Sequence, residues 1–207
     1  MKKAMAVALA VLFVGAGSVT FGNLLTDGGM ENTGGGAWNV YNNPPGSMTA
    51  DFDSTEYVYE GSESLKVTWS DPVAQWSLFE ARQNIPVLAG SDWDASVYAR
   101  ITSPLNNAEA YLETIFYDAT WTEVGKIKSD SLSAVTDWTQ LKTTGTVSNN
   151  ATTASYFLKI FTSGGESSSG TVYFDDGVAV VPEPASMGLL GLAMAGLYIF
   201  RRNRKQV

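Results

Sequence analysis

The chain has 207 residues, 44% of them hydrophobic, with 13 basic and 21 acidic side chains and a formal net charge of −8. It contains no cysteine and no histidine, which excludes a disulfide framework, thiol nucleophiles, Ser-His-Asp triads and histidine-based zinc sites. Metal chemistry is left to oxygen ligands, which suit calcium.

Lys2 and Lys3 precede a small-residue apolar run from Ala4 to Ala16, the pattern of a secretory signal. Residues 1–22 read as that signal helix, with cleavage after Ser18 or after Gly22; an uncleaved anchor is the alternative. Residues 23–181 form one domain of ordinary size. Leaving out Glu183 and the six cations at the two ends, this part holds 20 acidic and 7 basic residues, a net charge near −13. So acidic a surface argues against nucleic acid and anionic lipid as partners.

Within the domain the main signal is alternation. Leu65, Val67 and Trp69 share one phase. Trp76 to Ile85 carries apolar residues on both phases, and Trp76 is out of phase with Phe79 and Ala81. From Asp94 to Ile101, Ala95, Val97, Ala99 and Ile101 face one way and Ser96, Tyr98 and Arg100 the other. Ala108 to Asp118 is again apolar on both phases, with Leu112 and Phe116 against Tyr111, Ile115 and Tyr117. Tyr156, Leu158 and Ile160 alternate with Phe157, Lys159 and Phe161; Val172 and Phe174 alternate with Thr171 and Tyr173. These are strand patterns, and the two doubly apolar ones predict central strands whose second face is covered or used for binding. Turn clusters lie at Thr33 to Gly36, Asn42 to Gly46, Leu105 to Asn107 and Ser163 to Gly170. No helical stripe interrupts them, so the expected fold is an all-β sandwich or jelly roll.

Residues 182–207 are of another kind. Pro182-Glu183-Pro184 leads into 16 uncharged residues from Ala185 to Phe200, and Arg201, Arg202, Arg204 and Lys205 follow. A helix over 185–200 spans ~24 Å against a hydrocarbon core of ~30 Å. It is a marginal single transmembrane helix, helped by snorkelling cations of the basic tail 201–205. By the positive-inside rule both basic ends stay cytoplasmic and the middle is exported. The triplet, the short helix and the basic end, in that order, resemble the PEP-CTERM sorting signal of Gram-negative bacteria. That resemblance implies an exosortase-type enzyme acting near Pro182, Glu183 and Pro184, a transient inner-membrane anchor, and a final place at the cell surface or in the extracellular matrix.

A second resemblance covers Asn23 to Val180. Its landmarks are Asn23-Leu24-Leu25 with Gly28-Gly29-Met30-Glu31, Trp38, Glu60-Gly61-Ser62-Glu63-Ser64-Leu65-Lys66-Val67, Ala89-Gly90, Asp137-Trp138, Thr144 to Val147, and Gly170 to Val178. In this order they resemble the CenC-type carbohydrate-binding modules of families 4, 9 and 22, within the galactose-binding-like jelly rolls. The resemblance implies a structural calcium tying the first segment to the last. By match its ligands are Gly29 and Lys66 through backbone and Glu31, Glu63 and Asp175 through side chains. Met30 stands where the family has an aromatic residue. Asp176 is read as a turn residue.

Sugar rings present apolar faces that stack on aromatic planes. The candidates are Trp76 with Gln75 and Arg82, and Trp121 on a turn beside Asp118 and Glu123. Trp38 and Trp138 are expected in the core, and Trp93 over a strand edge. No spacing of carboxylates singles out a catalytic acid and base, so no enzyme is expected. The expected function is an exported, non-catalytic surface or matrix protein binding carbohydrate or exopolysaccharide. The alternative is a structural surface protein of the same fold with no sugar site.

Overall fold

The computed structural model describes residues 22–31, 36–70, 76–105, 107–163 and 169–181. The expected signal helix, the helix over 185–200 and the basic tail lie outside these residues. Among the described residues no helix is long and apolar enough to cross a membrane.

Ten strands follow one another: β1 Asn39–Asn43, β2 Thr49–Ser54, β3 Ser64–Trp69, β4 Ser77–Pro86, β5 Asp92–Ile101, β6 Ala108–Tyr117, β7 Glu123–Lys128, β8 Thr136–Thr146, β9 Thr153–Thr162 and β10 Gly170–Val180. They form two five-stranded sheets, sheet A in the order β1-β4-β9-β6-β7 and sheet B in the order β2-β3-β10-β5-β8. All pairings are antiparallel. The all-β sandwich expected from alternation is the observed architecture.

The core lies between the sheets. Phe79, Ala81, Leu112, Phe116, Tyr156, Leu158 and Ile160 of sheet A meet Leu65, Val67, Val97, Ile101, Val172 and Phe174 of sheet B. Each of these sits on the apolar phase of its strand, so the two-residue period alone carries it inward. Polar struts cross the layer. The Tyr156 hydroxyl donates to the Ser96 carbonyl at 2.8 Å, and the Trp93 indole lies 3.1 Å from the Thr114 hydroxyl and 3.3 Å from that of Thr143.

Four strands were not among those read from the sequence: β1, β2, β7 and β8. All four are sheet edges. An edge strand has a neighbour on one side only; β1 and β7 are largely solvated and show no clean period, whereas β2 does alternate, with Ala50 and Phe52 turned inward. The expected turn at Asn42 to Gly46 therefore begins late, since β1 continues to Asn43.

Two tryptophans depart from expectation. Trp93 does not cover an edge but is buried between the sheets, 1% exposed, because Thr114 and Thr143 offer its N–H acceptors inside. Trp138 is not in the core. It is half-buried on the outer face of sheet B, against Tyr59. Trp38 is buried as expected, against Tyr156.

The inter-sheet strut can be tested directly. Tyr156→Phe is expected to lower the unfolding free energy by about 1 kcal/mol, read from urea midpoints at unchanged slope.

Candidate functional site

Sheet A carries the candidate site on the face turned away from the core. Tyr41 on β1, Glu80 on β4, Lys159 on β9 and Tyr111 on β6 stand level across four strands. Beside them runs a row of Asn39, Arg82, Phe157, Glu113 and Lys128. Flanking rows add Phe161 and Glu109 at one end and Tyr117 at the other. On β4 and β6 this is the second of the two phases read as apolar from the sequence.

An ion triad fixes the centre. Lys159 Nζ lies 2.8 Å from Glu80 Oε1 and 2.5 Å from Glu113 Oε2, with the Phe157 ring centre 4.5 Å away. Burial pulls the Lys159 ammonium down, but the hydrogen bonds it donates to Glu113 and Glu80 outweigh this and hold the group above the usual lysine range. Lys128 Nζ sits 3.7 Å over the Tyr111 ring and 2.9 Å from Glu109. Two carboxylates clasping one ammonium brace the floor of the face. Removing one partner from such a buried set is strongly destabilising, because it leaves a charge uncompensated.

The two tryptophans singled out from the sequence mark the ends of this face. Trp76 immediately precedes β4 instead of lying on it and is 53% exposed. Trp121, 59% exposed, sits in the β6–β7 turn with its ring centre 5.6 Å from Tyr117. Its φ of 62° is in the left-handed region, strained for a bulky side chain. Asp118 holds that turn. Its Oδ1 accepts the Thr120 and Thr122 amides at 2.8 and 3.0 Å and the Thr120 hydroxyl at 2.7 Å. The Thr120 hydroxyl, followed by the two amides, keeps this carboxyl below its ordinary range.

Trp76 and Trp121 are not brought together. Ser77 is level with Ala108 at one end of the sheet and Pro86 with Tyr117 at the other. The nine rises between, at ~3.3 Å each, span about 30 Å. Arg82 falls between the two, in the row of Phe157 and Glu113. Gln75 lies outside the described residues, as do Pro182, Glu183, Pro184, Arg201 and Arg202.

Of the expected calcium ligands, Glu31 and Asp175 hold the loop Tyr59–Glu63, to which Glu63 belongs. Glu31 reaches it from the opening segment. Its Oε1 accepts the Ser62 amide at 2.8 Å and its Oε2 the Ser62 hydroxyl at 2.7 Å. The Ser62 hydroxyl and then its amide hold Glu31 below the usual carboxylate range. Gly61, at φ 82°, lies against this carboxylate, and a Cβ there would overlap Glu31 Oε1. Asp175 reaches the loop from β10. Its Oδ2 accepts the Tyr59 and Glu60 amides at 2.7 and 3.1 Å, and its Oδ1 the Asp176 amide at 2.7 Å. Burial pushes Asp175 up to about 6 even though three amides pull the other way.

Glu63 is different. Its Oε2 is buried and has no hydrogen-bond donor. Burial first, then the carboxylates of Asp53, Glu31, Asp27 and Asp51, raise it. An orphaned carboxylate oxygen among four other acids is the chemistry that a hard cation relieves. Yet among the described residues no three acids stand in a group that holds a metal ion. Lys66 directs its side chain to Glu56, and Gly29 lies between Asp27 and Met30, both at positive φ. Asp176, at φ 48°, belongs to the bulge of β10.

Reading from sequence missed Tyr41, Tyr111, Tyr117, Phe157, Phe161 and the triad Glu80, Lys159 and Glu113. The double apolar phase of β6 was the signal for Tyr111 and Tyr117, but it named a strand and not which residues meet.

Residues 22–174 match the family described as carbohydrate binding domain, and residues 180–205 match the PEP-CTERM protein-sorting motif. No curated protein matches the chain. Among solved structures, the chain is similar to the CBM22-1 xylan-binding domain from Paenibacillus barcinonensis Xyn10C, at 13% identity and TM-score 0.56, over 81% of this chain and 100% of that one. It is similar to TmCBM61, solved with beta-1,4-galactotriose, at 11% identity and TM-score 0.55, over 78% and 99%. A third likeness is to the enzymatically active domain of bacteriophage CBA120 tailspike protein 4, at 13% identity and TM-score 0.60. There it covers 77% of this chain but spans only 21% of the tailspike chain. At these identities the likenesses show the fold.

Asp175 generates a pH prediction. A folded-state value near 6, above the ordinary 3.8, means the folded chain holds a proton between about pH 4 and 6 that the unfolded chain has released. Stability from this group is therefore full below about pH 4 and lost as pH rises through 6. In metal-free buffer, the unfolding free energy of the wild type minus that of Asp175→Asn is expected to grow from pH 7 to pH 4. A flat difference refutes it.

Proposed function

We propose that this chain, which belongs to the carbohydrate binding domain family and carries a PEP-CTERM protein-sorting motif, is an exported, non-catalytic protein that binds an extended polysaccharide along the outer face of sheet A. The observation that carries this reading is the outer face of sheet A, where exposed Tyr41, Trp76 and Trp121 border a floor of buried Tyr111, Phe157 and the Lys159 ion triad. Aromatic rings offer flat apolar platforms. The hydrogen-bonding heads around them suit sugar hydroxyls. A length of about 30 Å admits several sugar rings in a line, so the ligand is a chain and not a monosaccharide. Glu80 and Glu113 both point at one ammonium, which leaves neither directed at a glycosidic bond.

Fold alone does not assign function, and the weight rests on the family match together with this face. The sorting motif supports processing by an exosortase-type enzyme, with residues 1–22 directing export and residues 185–200 holding the chain in the inner membrane until release. A surface or matrix protein bound to exopolysaccharide follows.

A structural calcium belongs to the same proposal. Glu63 and Glu31, with the backbone of Gly29 and Lys66 and the lone pair left on Asp175 Oδ1, supply hard oxygens where the opening segment, the Tyr59–Glu63 loop and β10 meet. Bound there, the ion neutralises clustered carboxylates.

Three measurements test these readings. Trp76→Ala and Trp121→Ala are each expected to weaken retardation by soluble xylan or galactan in affinity electrophoresis about tenfold, worth ~1.4 kcal/mol. Binding unchanged in both would remove sheet A as the site. Millimolar calcium should raise the melting temperature by about 5 °C over EDTA, and no shift ends the calcium proposal. Intact-mass spectrometry of the mature protein should show a C-terminus between Val181 and Pro184; a form retaining Arg204 contradicts processing.

A further inference from the structure

The opposite face of the sandwich carries a second aromatic assembly that sheet A does not explain. The loop after β2 lies over the outer face of sheet B. Tyr59 stacks on Tyr98 with ring centres 3.7 Å apart and planes within 14°. Trp138 meets Tyr59 edge-on at 5.8 Å. Next to them Tyr57 stands on Tyr173 at 5.0 Å, under the Arg100 guanidinium at 4.2 Å.

Two features separate this from a loop merely packed on a sheet. Tyr59 remains 41% exposed although one ring face is covered, so its outer face is open. Its backbone is also pinned, since its amide donates to the wholly buried Asp175 carboxylate at 2.7 Å. The ring is thereby held before any ligand arrives, and holding a side chain in place beforehand reduces the ordering cost of binding. The charges at its border are chiefly acidic: Glu60 and Asp176 act on its hydroxyl, and Asp137 holds Arg100 at 3.2 Å. An anionic chain is repelled from such a border. An uncharged sugar ring, with a flat C–H face and outward hydroxyls, fits it.

We infer that Tyr59, seated on Tyr98 and flanked by Trp138, is a second saccharide platform, and that the domain bridges two uncharged polysaccharide chains, one on each sheet. The inference rests on the sheet A reading for its ligand class and goes beyond it in site and valency.

The test uses the full chain with soluble xylan, galactan and mixed-linkage glucan, and a uronic acid polymer as the anionic probe. In a Trp76→Ala/Trp121→Ala background, residual retardation by an uncharged glycan is expected. Tyr59→Leu, which keeps an apolar side chain without a flat ring, should reduce it about tenfold, while Tyr59→Phe should preserve it. The wild type should also cross-link long chains, seen as turbidity, and Tyr59→Leu alone should still bind but no longer cross-link. Residual binding indifferent to Tyr59→Leu, or preference for the uronic acid polymer, overturns the second platform. If the double tryptophan variant abolishes all binding and Tyr59→Leu alone changes nothing, only this inference fails. If no glycan is bound by any form, the sheet A reading fails with it.

Discussion

The structure turns on strand β10, and on the buried carboxylate of Asp175 within it. β10 is the middle strand of sheet B, paired with β3 on one side and β5 on the other, with a bulge between Asp175 and Val178. At that bulge the strand receives two segments distant in sequence. The opening segment docks through Asn23, whose amide nitrogen donates to the Gly177 carbonyl and whose oxygen accepts the Ala179 amide. Gly28 and Gly177 approach so closely that a side chain on Gly28 would strike the Gly177 carbonyl. The loop after β2 docks through the two amides held by Asp175. A carboxylate of no solvent exposure serves here because backbone amides have nowhere else to bond.

From that crossing both outer faces follow. Pinning the Tyr59–Glu63 loop over sheet B sets the stacked tyrosines on one side of the sandwich. On sheet A the outer-face side chains Tyr111, Phe157, Glu113 and Lys159 are buried in their own right. Strands buried on both faces carry apolar residues on both phases, and the charges they hold there must neutralise one another. Lys159 between Glu80 and Glu113 does so. The two faces thus differ in kind: a braced surface bounded by two tryptophans, and a loop-borne stack at the edge of an acidic patch. The acidity of the domain, which disfavours polyanions, bears on both.

The strand centres were readable because a period of two survives in any sequence that buries one face. β3, β5, β9 and β10 were visible in Leu65 and Val67, Ala95 to Ile101, Tyr156 to Ile160, and Val172 and Phe174. The edges were not, because Asn39–Asn43 and Glu123–Lys128 keep solvent on most of their surface and so carry no alternation. Trp93 and Trp138 were misplaced for a related reason. Indole rings pack equally well in a core and on a half-open face, and only the position of Thr114 and Thr143 across the layer decides for Trp93. Exposure of Trp121 was legible from its turn, Asp118 to Thr122. Its partnership with Tyr117 was not.

What the amino-acid sequence determined by itself is what local chemistry can encode: an all-β middle, the absence of thiol and imidazole chemistry, an acidic surface, and a terminal sorting segment marked by prolines, an apolar run and cations. Its family resemblance was likewise carried by short ordered motifs. Tertiary structure alone decided which side chains stand level with one another. Glu80, Glu113 and Lys159 are separated by dozens of residues, and no local period relates them. Only strand register aligns them, and register is set by pairings across the whole chain. The same holds for Glu31, Glu63 and Asp175, which meet one loop because β10 closes against the first residues of the domain.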